Sequence, residues 1–314
     1  MKLFDRIITV TLNPALDVTL WIPSMDLEEP NKTTAEKIYA GGKGVNISRV
    51  LASLNVFSLA AGIVGEDNQK MFTDLLEADG VGHRMVSVKG AVRENITLVT
   101  PGNQVLKVNR AGCAADVEAL KEVRRQIVRA AEDYSSVLLI FAGSLPPGIS
   151  AADYKNFILS LKGEKVKVAV DTSVFTAEDI EEIRPWMIKP NLPEFRQMCG
   201  KAFADRRELT EAALRMNDFV EHVMISLGGD GLLYANGGQI LRLIPPAVEV
   251  RSTVGAGDTT LAAFIYAMQM GNEPGSAAVF ASAAGTASVM LDGTEAVTLD
   301  QIEAVLDRMA VETI

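Results

Sequence analysis

Hydrophobic positions along the chain fall into short continuous runs that alternate with longer amphipathic stretches. The short runs have the length of strands, and they lie at Ile7–Leu12, Val137–Ala142, Val166–Asp171, Met187–Lys189 and His222–Leu227. A strand that is apolar at every position is typical of a parallel sheet covered on both faces. The pattern therefore predicts an α/β fold with a mostly parallel central sheet and helices on both faces.

The stretches between these runs carry apolar residues at helical spacing. They are Val45–Leu54, Asp67–Asp79, Ala115–Asp133, Ala151–Lys162, Leu192–Cys199, Arg206–Phe219, Ala256–Met270 and Pro274–Met290. Two other segments, about 18–40 and 94–110, alternate polar and apolar residues like half-exposed strands, and the second contains the turn Pro101–Asn103. We expect these segments to form a small β-sheet lid on a single domain that spans 1–314. Ordinary surface hairpins are the alternative.

Charge and composition exclude several classes of partner. The 314 residues carry a formal net charge of −10, which argues against nucleic acid or an anionic membrane as the main partner. Only Cys113 and Cys199 are present, too few for a disulfide framework, and the N-terminus shows no signal-peptide pattern. We therefore expect a cytoplasmic protein. With only His83 and His222, a metal site built from several histidines is nearly excluded.

The strongest local motif is the glycine-rich segment Thr253–Thr259, which precedes an apolar helix. Its two glycines let several backbone amides point outward at a helix N-terminus, where an anion binds well. Asp258 in this segment has two interpretations: it caps the helix, or it accepts a proton from a hydroxyl group. In the second case the amides of Gly255, Ala256 and Gly257 would stabilise charge on a transferring phosphoryl group.

Three further loops combine glycine or polar residues with a neighbouring strand or helix. They are Gly41–Asn46, Lys189–Glu194 and Ser226–Gly231. Each also fits an ordinary structural turn. Asn191 and Glu194 are three residues apart at a helix start, so they either cap that helix or orient water on Mg²⁺, which keeps several waters and takes few carboxylates.

Taken together, these motifs resemble the ribokinase-like (PfkB) carbohydrate kinases along essentially the whole chain. The matching segments occur in family order, at Thr11–Asp17, Gly41–Asn46, Gly143–Gly148, Lys189–Glu194, Ser226–Gly231 and Ser252–Asp258. The opening T-L-N-P-A-L-D is similar to the branch that contains 1-phosphofructokinase, tagatose-6-phosphate kinase and the minor 6-phosphofructokinase. The resemblance implies a ribokinase-like fold and transfer of a phosphoryl group from ATP to a ketohexose phosphate.

Fructose 1-phosphate, converted to fructose 1,6-bisphosphate, is the substrate that we expect first. Tagatose 6-phosphate and fructose 6-phosphate are alternatives within the family, and an unphosphorylated sugar or nucleoside is a more distant one. A protein that binds a nucleotide or sugar phosphate without catalysis is the alternative from another class. It does not explain why a proton acceptor, Asp258, stands in a complete G-A-G-D loop. A Rossmann oxidoreductase lacks support because no G-x-G-x-x-G follows the first strand.

The resemblance also assigns roles to individual residues. It implies a general base and an anion hole formed by Asp258, Gly255, Ala256 and Gly257. It implies a sugar-phosphate site formed by Asp17, Lys32, Gly42, Lys43, Asn46, Arg93 and Ser144. The ATP site would be lined by Lys189, Asn191, Ser226, Gly228, Gly231, Thr253, Gly255 and Gly257. Mg²⁺ would be held, through water, by Glu194 and Asn191.

Two further features of the family bear on assembly and cofactors. The lid often pairs with the lid of a second subunit, which implies a homodimer. Some members bind a monovalent cation such as K⁺ beside the anion hole, where this chain would supply oxygens from Ser252, Val254, Ser288, Leu291 and Gly293. Glu295 stands where those members carry other side chains, so a dependence on K⁺ is not carried over.

Overall fold

The apolar runs of the sequence form the strands of a large sheet. The structure, a computed structural model, describes residues 2–26, 28–100, 105–291, 293 and 295–314. In these ranges the strands are β1 Arg6–Thr11, β2 Ala15–Trp21, β3 Ala35–Gly41, β4 Leu59–Gly65, β5 Gly82–Val88, β6 Arg93–Val99, β7 Val105–Asn109, β8 Val137–Ala142, β9 Val166–Asp171, β10 Met187–Ile188, β11 His222–Ser226, β12 Leu232–Asn236, β13 Gln239–Ile244 and β14 Ala310–Thr313.

Ten of these described strands make one sheet, in the order β14-β13-β12-β11-β10-β9-β8-β1-β4-β5. From β11 to β5 every neighbouring pair is parallel. The last three strands, β12 to β14, add to the β11 edge in antiparallel pairing. The expectation of a mostly parallel central sheet is confirmed.

Helices cover both faces of this sheet, as the continuous apolar strands predict. They are α1 Lys43–Ser53, α2 Gln69–Ala78, α3 Val117–Ala131, α4 Ala151–Leu159, α5 Ala177–Ile183, α6 Leu192–Met198, α7 Arg206–Asn217, α8 Ala256–Gln269, α9 Pro274–Ser288 and α10 Leu299–Leu306. Within β8, Leu139 and Phe141 pack in the core formed with α3 to α7. Leu138 and Ile140 point the other way, into the core formed with α1, α8, α9 and α10. Successive strand residues therefore need apolar side chains on both faces.

A separate small sheet contains the two segments that alternate polar and apolar residues. Its strand order is β3-β2-β6-β7, with β2 and β6 parallel and the outer strands antiparallel. Leu16 of β2 is buried with Ala40 and with Phe72 of α2, which attaches the small sheet to the body of the protein. The small sheet is confirmed. The predicted turn Pro101–Asn103 lies outside the described residues.

Each predicted strand and helix is present, with ends that differ by at most three residues. Lys189 lies just beyond β10, and Pro190 after it has no amide hydrogen to donate to the ladder. Several elements are absent from the sequence-based prediction: β4, β5, α5, β12, β13, α10 and β14. β4, with the sequence LAAGIVG, is rich in small residues that do not favour strands. β14 is exposed at every position, so it carries no apolar run that could reveal it.

The contact between β1 and β4 gives a test of this arrangement. A Cβ added at Gly62 would lie 1.9 Å from the backbone oxygen of Thr11, which cannot move without disturbing the ladder. We expect Gly62→Ala to lower the free energy of unfolding by about 2 kcal/mol or more, measured by urea denaturation. Gly163→Ala is the matched control, since no atom lies within 4 Å of its added Cβ. Equal stabilities of the two variants would contradict the β1–β4 pairing.

Candidate active site

The polar loops singled out in the sequence meet at one edge of the central sheet. The loops after β1, β9, β10 and β11 leave the same edge because these strands are parallel, and ligands of α/β sheets bind at such edges. The N-termini of α1 and α8 reach the same place, and a hydrogen bond between Asn46 and Asp258 joins the two helices. Segments that are far apart in the sequence therefore form one site.

Asp258 lies at the third position of α8, inside the helix. The N-cap is Gly255, whose φ of 78° is in the left-handed region that favours glycine, and no side chain caps this helix. The interpretation of Asp258 as the helix cap is therefore wrong. Its side chain is only 6% exposed, and it accepts a hydrogen bond of 2.8 Å from Nδ2 of Asn46.

The surroundings of Asp258 make it a suitable proton acceptor near neutral pH. Burial raises the pKa of this carboxyl to about 7, and the negative charge of Asp171 adds to the rise. The hydrogen bond from Asn46 and the charges of Lys43 and Lys189 act in the opposite direction. A general base works best when its pKa is close to the working pH, because it is then both ionised and basic.

Asp171 is a site residue that the sequence analysis missed. It is the last residue of β9 and is 1% exposed. Its Oδ1 accepts a hydrogen bond of 2.8 Å from Nζ of Lys43, and its Oδ2 is 3.3 Å from Nζ of Lys189. Burial alone would raise the pKa of Asp171, but the two lysines outweigh burial and hold the pKa below its usual value. Its place at the carboxyl end of an apolar strand was the available signal.

The two lysines approach the site from different loops. Lys43 begins α1, and its Nζ also lies 3.3 Å from Oε1 of Glu194. Burial lowers the pKa of Lys43, but the two carboxylates outweigh this effect and keep its pKa above the usual value. Lys189 is almost fully buried, and a Cβ added at Gly257 would lie 3.0 Å from its Nζ. Lys189 thus lies directly against the glycine-rich loop.

Asn191 and Glu194 form a capping box at the start of α6. Oδ1 of Asn191 accepts from the Glu194 amide, and Oε2 of Glu194 accepts from the Asn191 amide, both at 2.9 Å. The capping role is therefore confirmed for both residues. Among the described residues, no group of three or more metal-ligating side chains could hold a metal. Glu194 fits a Mg²⁺ ion that arrives on phosphates and keeps most of its waters.

The start of the small sheet contributes a second polar cluster. Asp17 on β2 accepts a hydrogen bond of 2.8 Å from Nδ2 of Asn95 on β6. Burial raises the pKa of Asp17, and the hydrogen bond opposes this. A Cβ on Gly41 would lie 2.1 Å from Oδ2 of Asp17, so any larger residue at position 41 would displace this carboxylate. Gly42 follows with a φ of 111°, again in the region that favours glycine.

Arg93 lies where the small sheet meets the body of the protein. Its guanidinium donates to the backbone oxygens of Asn13 and Arg110, each at 3.2 Å, and to Oγ of Ser144 at 3.4 Å. Burial lowers the pKa of Arg93, which the charge of Asp17 opposes. Among the described residues no carboxylate lies within ion-pair distance of Arg93, and the charge of Asp17 acts on it from further away, so the guanidinium could pair with an anionic ligand.

The remaining predicted residues are less closely joined. Ser226 pairs with Asn191 in an isolated bridge, which brings two predicted nucleotide-site loops together. Gly228 and Gly231 lie in the turn after β11, and both have positive φ. Thr253 is exposed and lies just before the glycine-rich N-terminus of α8. Lys32 is exposed between β2 and β3, and no hydrogen bond or ion pair with the described residues positions it.

Sequence comparisons with known proteins indicate similarity to carbohydrate kinases. The pfkB family carbohydrate kinases match residues 11–301. A 1-phosphofructokinase of Vibrio cholerae is 32% identical over 98% of this chain and 97% of its own length. A 1-phosphofructokinase of Escherichia coli strain K12 is 30% identical over 84% of this chain and 85% of its own length.

A solved structure with the same fold is phosphofructokinase-2 of Escherichia coli in complex with potassium. It covers 98% of this chain and 99% of its own chain, with a TM-score of 0.89 and 24% identity. This likeness supports the fold alone. In the described part of the chain, no helix has both the length and the apolar character needed to cross a membrane.

The raised pKa of Asp258 has a consequence for stability. Its pKa is 3.8 ordinarily and about 7 when folded, so folding loses stability as pH rises through this window. We expect the free energy of unfolding of Asp258→Asn, measured by urea denaturation, to exceed that of the parent above pH 7. The difference between variant and parent should be roughly 2–3 kcal/mol more favourable to the variant there than at about pH 5. The exposed Asp67→Asn variant controls for the lost charge. A difference that does not change with pH would contradict the buried, protonated carboxyl.

Proposed function

The chain belongs to the pfkB family of carbohydrate kinases, and we propose that it transfers the γ-phosphoryl group of ATP to a ketohexose phosphate, fructose 1-phosphate first. The product would be fructose 1,6-bisphosphate. The observation that carries the proposal is the buried Asp258, with a pKa of about 7, beside the backbone amides that begin α8, which no side chain caps. The name 1-phosphofructokinase of the curated relatives supports the choice of sugar.

The proposed reaction uses Asp258 as general base. Its carboxylate takes the proton of the acceptor hydroxyl while that oxygen attacks the γ-phosphorus, and ADP leaves with the bridging oxygen. The amides of Gly255, Ala256 and Gly257 stabilise the charge on the transferring group. Asn46 orients the base through its hydrogen bond of 2.8 Å. Catalysis of this kind needs positioning and charge more than a nucleophile, which suits a site without histidine.

The nucleotide binds, in this proposal, along the loops after β10 and β11. Asn191, Ser226, Gly228, Gly231 and Thr253 line it. Lys189 and Lys43 supply positive charge where the phosphates meet the anion hole. The Mg²⁺ ion would be brought by ATP and held through water by Glu194 and Asn191, and it would neutralise charge on the phosphates.

Arg93 binds the phosphate of the sugar in this proposal. Its planar guanidinium matches two phosphate oxygens, and its hydrogen bonds to backbone oxygens of Asn13 and Arg110 hold it in place. Asp17, Gly42, Lys43, Asn46 and Ser144 complete the sugar site, and Lys32 approaches from the loop between β2 and β3. This positive charge is local, since the chain as a whole is acidic.

The small sheet acts as a lid over the sugar and as a dimer contact. We propose that residues 1–314 form one kinase domain that pairs through this sheet in a cytoplasmic homodimer. The support is β7, which leaves Val105, Leu106 and Val108 exposed on the outer edge. K⁺ is left out of the proposed reaction, because Glu295 pairs with Lys37 at 3.1 Å next to the expected ion position.

A direct assay tests the proposed function. With ATP and Mg²⁺, we expect turnover of fructose 1-phosphate above that of fructose 6-phosphate, tagatose 6-phosphate, fructose and ribose. Asp258→Asn should lower kcat by about 10²–10⁴-fold while ATP still binds, because only the general base is lost. Asp67→Asn should keep the parent's kcat. Preference for an unphosphorylated sugar, or normal turnover by Asp258→Asn, would overturn the proposal.

A second variant tests the phosphate contact. We expect Arg93→Gln to raise KM for the phosphosugar about 10–100-fold with little change in KM for ATP, because a charge-assisted contact is lost on one substrate only. Arg110→Gln is the matched control, since Arg110 pairs with Glu94 at 3.1 Å on the surface. Equal effects of the two variants would remove Arg93 from the sugar site.

A further inference from the structure

Asp171 joins two loops that the proposed reaction needs at the same time. Lys43 begins α1, next to the general base, whereas Lys189 follows β10, against the glycine-rich loop. The Asp171 carboxylate contacts both ammonium groups, at 2.8 Å and 3.3 Å. Without it, two like charges would stand close together with Lys189 in an almost water-free position.

The backbone around Asp171 is as constrained as its side chain. Its carbonyl accepts a hydrogen bond of 3.0 Å from the amide of Gly143, and β9 lies between β8 and β10 in the parallel sheet. The carboxylate therefore has a fixed origin, whereas the lysines reach it on long flexible side chains. Asp171 is the rigid member of this cluster.

We infer that Asp171 is a positioning residue, whose carboxylate holds Lys43 and Lys189 ready for the transferred phosphoryl group and sets a second negative charge beside Asp258. The inference deepens the proposed phosphoryl transfer and rests on it. Among the described residues, the contact with Asp171 is the one ion pair of Lys189, so its other donors are free for phosphate oxygens.

The second half of the inference concerns the proton. The groups that act on Asp258 are Asp171 at the end of β9, Lys43 and Asn46 on α1, and Lys189 in the loop after β10. Burial and the charge of Asp171 raise the pKa of Asp258, and the other three groups lower it. If Asp171 loses its charge, burial alone opposes the two lysines and Asn46, and the pKa of Asp258 falls.

Two substitutions of Asp171 separate its charge from its position. Asp171→Asn keeps the shape and removes the charge, whereas Asp171→Glu keeps the charge and moves it outward. Asp179→Asn is the matched control, because Asp179 also pairs with a lysine at 2.8 Å but belongs to the capping box that begins α5. Circular dichroism and urea unfolding establish which variants fold.

The expected results differ between the two substitutions. For Asp171→Asn, the acid limb of kcat/KM against pH should move down by about one pH unit or more, and kcat should fall about 10–10²-fold. For Asp171→Glu, the acid limb should stay near the parent while kcat falls. Asp179→Asn should change neither. An unmoved acid limb in Asp171→Asn overturns the inference; if that variant does not fold, a normal kcat in Asp171→Glu overturns it.

A measurement on the free protein separates this inference from the proposed function. Carbon NMR of carboxyl-labelled aspartate follows the titration of Asp258 without any substrate, and Asp258→Asn assigns the signal. A lower pKa of Asp258 in Asp171→Asn supports the inference even if the enzyme turns over no sugar phosphate in the panel. Absence of turnover would contradict only the proposed substrate. An unchanged titration contradicts the inference whatever the enzyme phosphorylates.

Discussion

Burying two carboxylates and one lysine at one edge of a sheet, beside a second lysine that is partly exposed, is the constraint on which this site depends. Charged groups lose hydration when they are buried, so each must find a partner of opposite charge or change its protonation. Asp171 finds the first solution, with Lys43 and Lys189 around it. Asp258 finds the second, with a pKa of about 7. Desolvation makes this cluster unfavourable to bury, and it also raises the pKa of Asp258 to about 7, where the carboxylate can accept a proton near neutral pH.

The architecture supplies this cluster from segments that are distant in the sequence. Parallel strands leave all their carboxyl ends at one edge, so the residues that end β9 and β10 meet the glycine-rich start of α8 there. The small sheet joins them through β2 and β6, where Asp17 and Arg93 face the body of the protein. In the proposed reaction, the edge of the central sheet binds the phosphates and the small sheet binds the sugar, so one site combines both.

Prediction from the sequence succeeded where a pattern is local. Continuous apolar strands and amphipathic helices were found to within a few residues, and the capping box of Asn191 and Glu194 was recognised from its spacing. Prediction failed where neighbours decide the outcome. β4 is a strand because it is paired on both sides, despite its small residues, and β14 has no apolar residue on a buried face. Asp171 was missed because a lone acid at a strand end has no distinctive local pattern.

The sequence by itself determined the class of fold, the glycine-rich loops and the choice of Asp258, because backbone turns and strand burial are written in residue type and spacing. The tertiary structure alone decided how these parts act together. Only packing shows that Gly255, and not Asp258, is the N-cap of α8, that Asn46 binds the carboxylate of Asp258, and that Asp171 contacts two lysines. Protonation depends on burial and on the distance to other charges, and the order of residues along the chain contains neither.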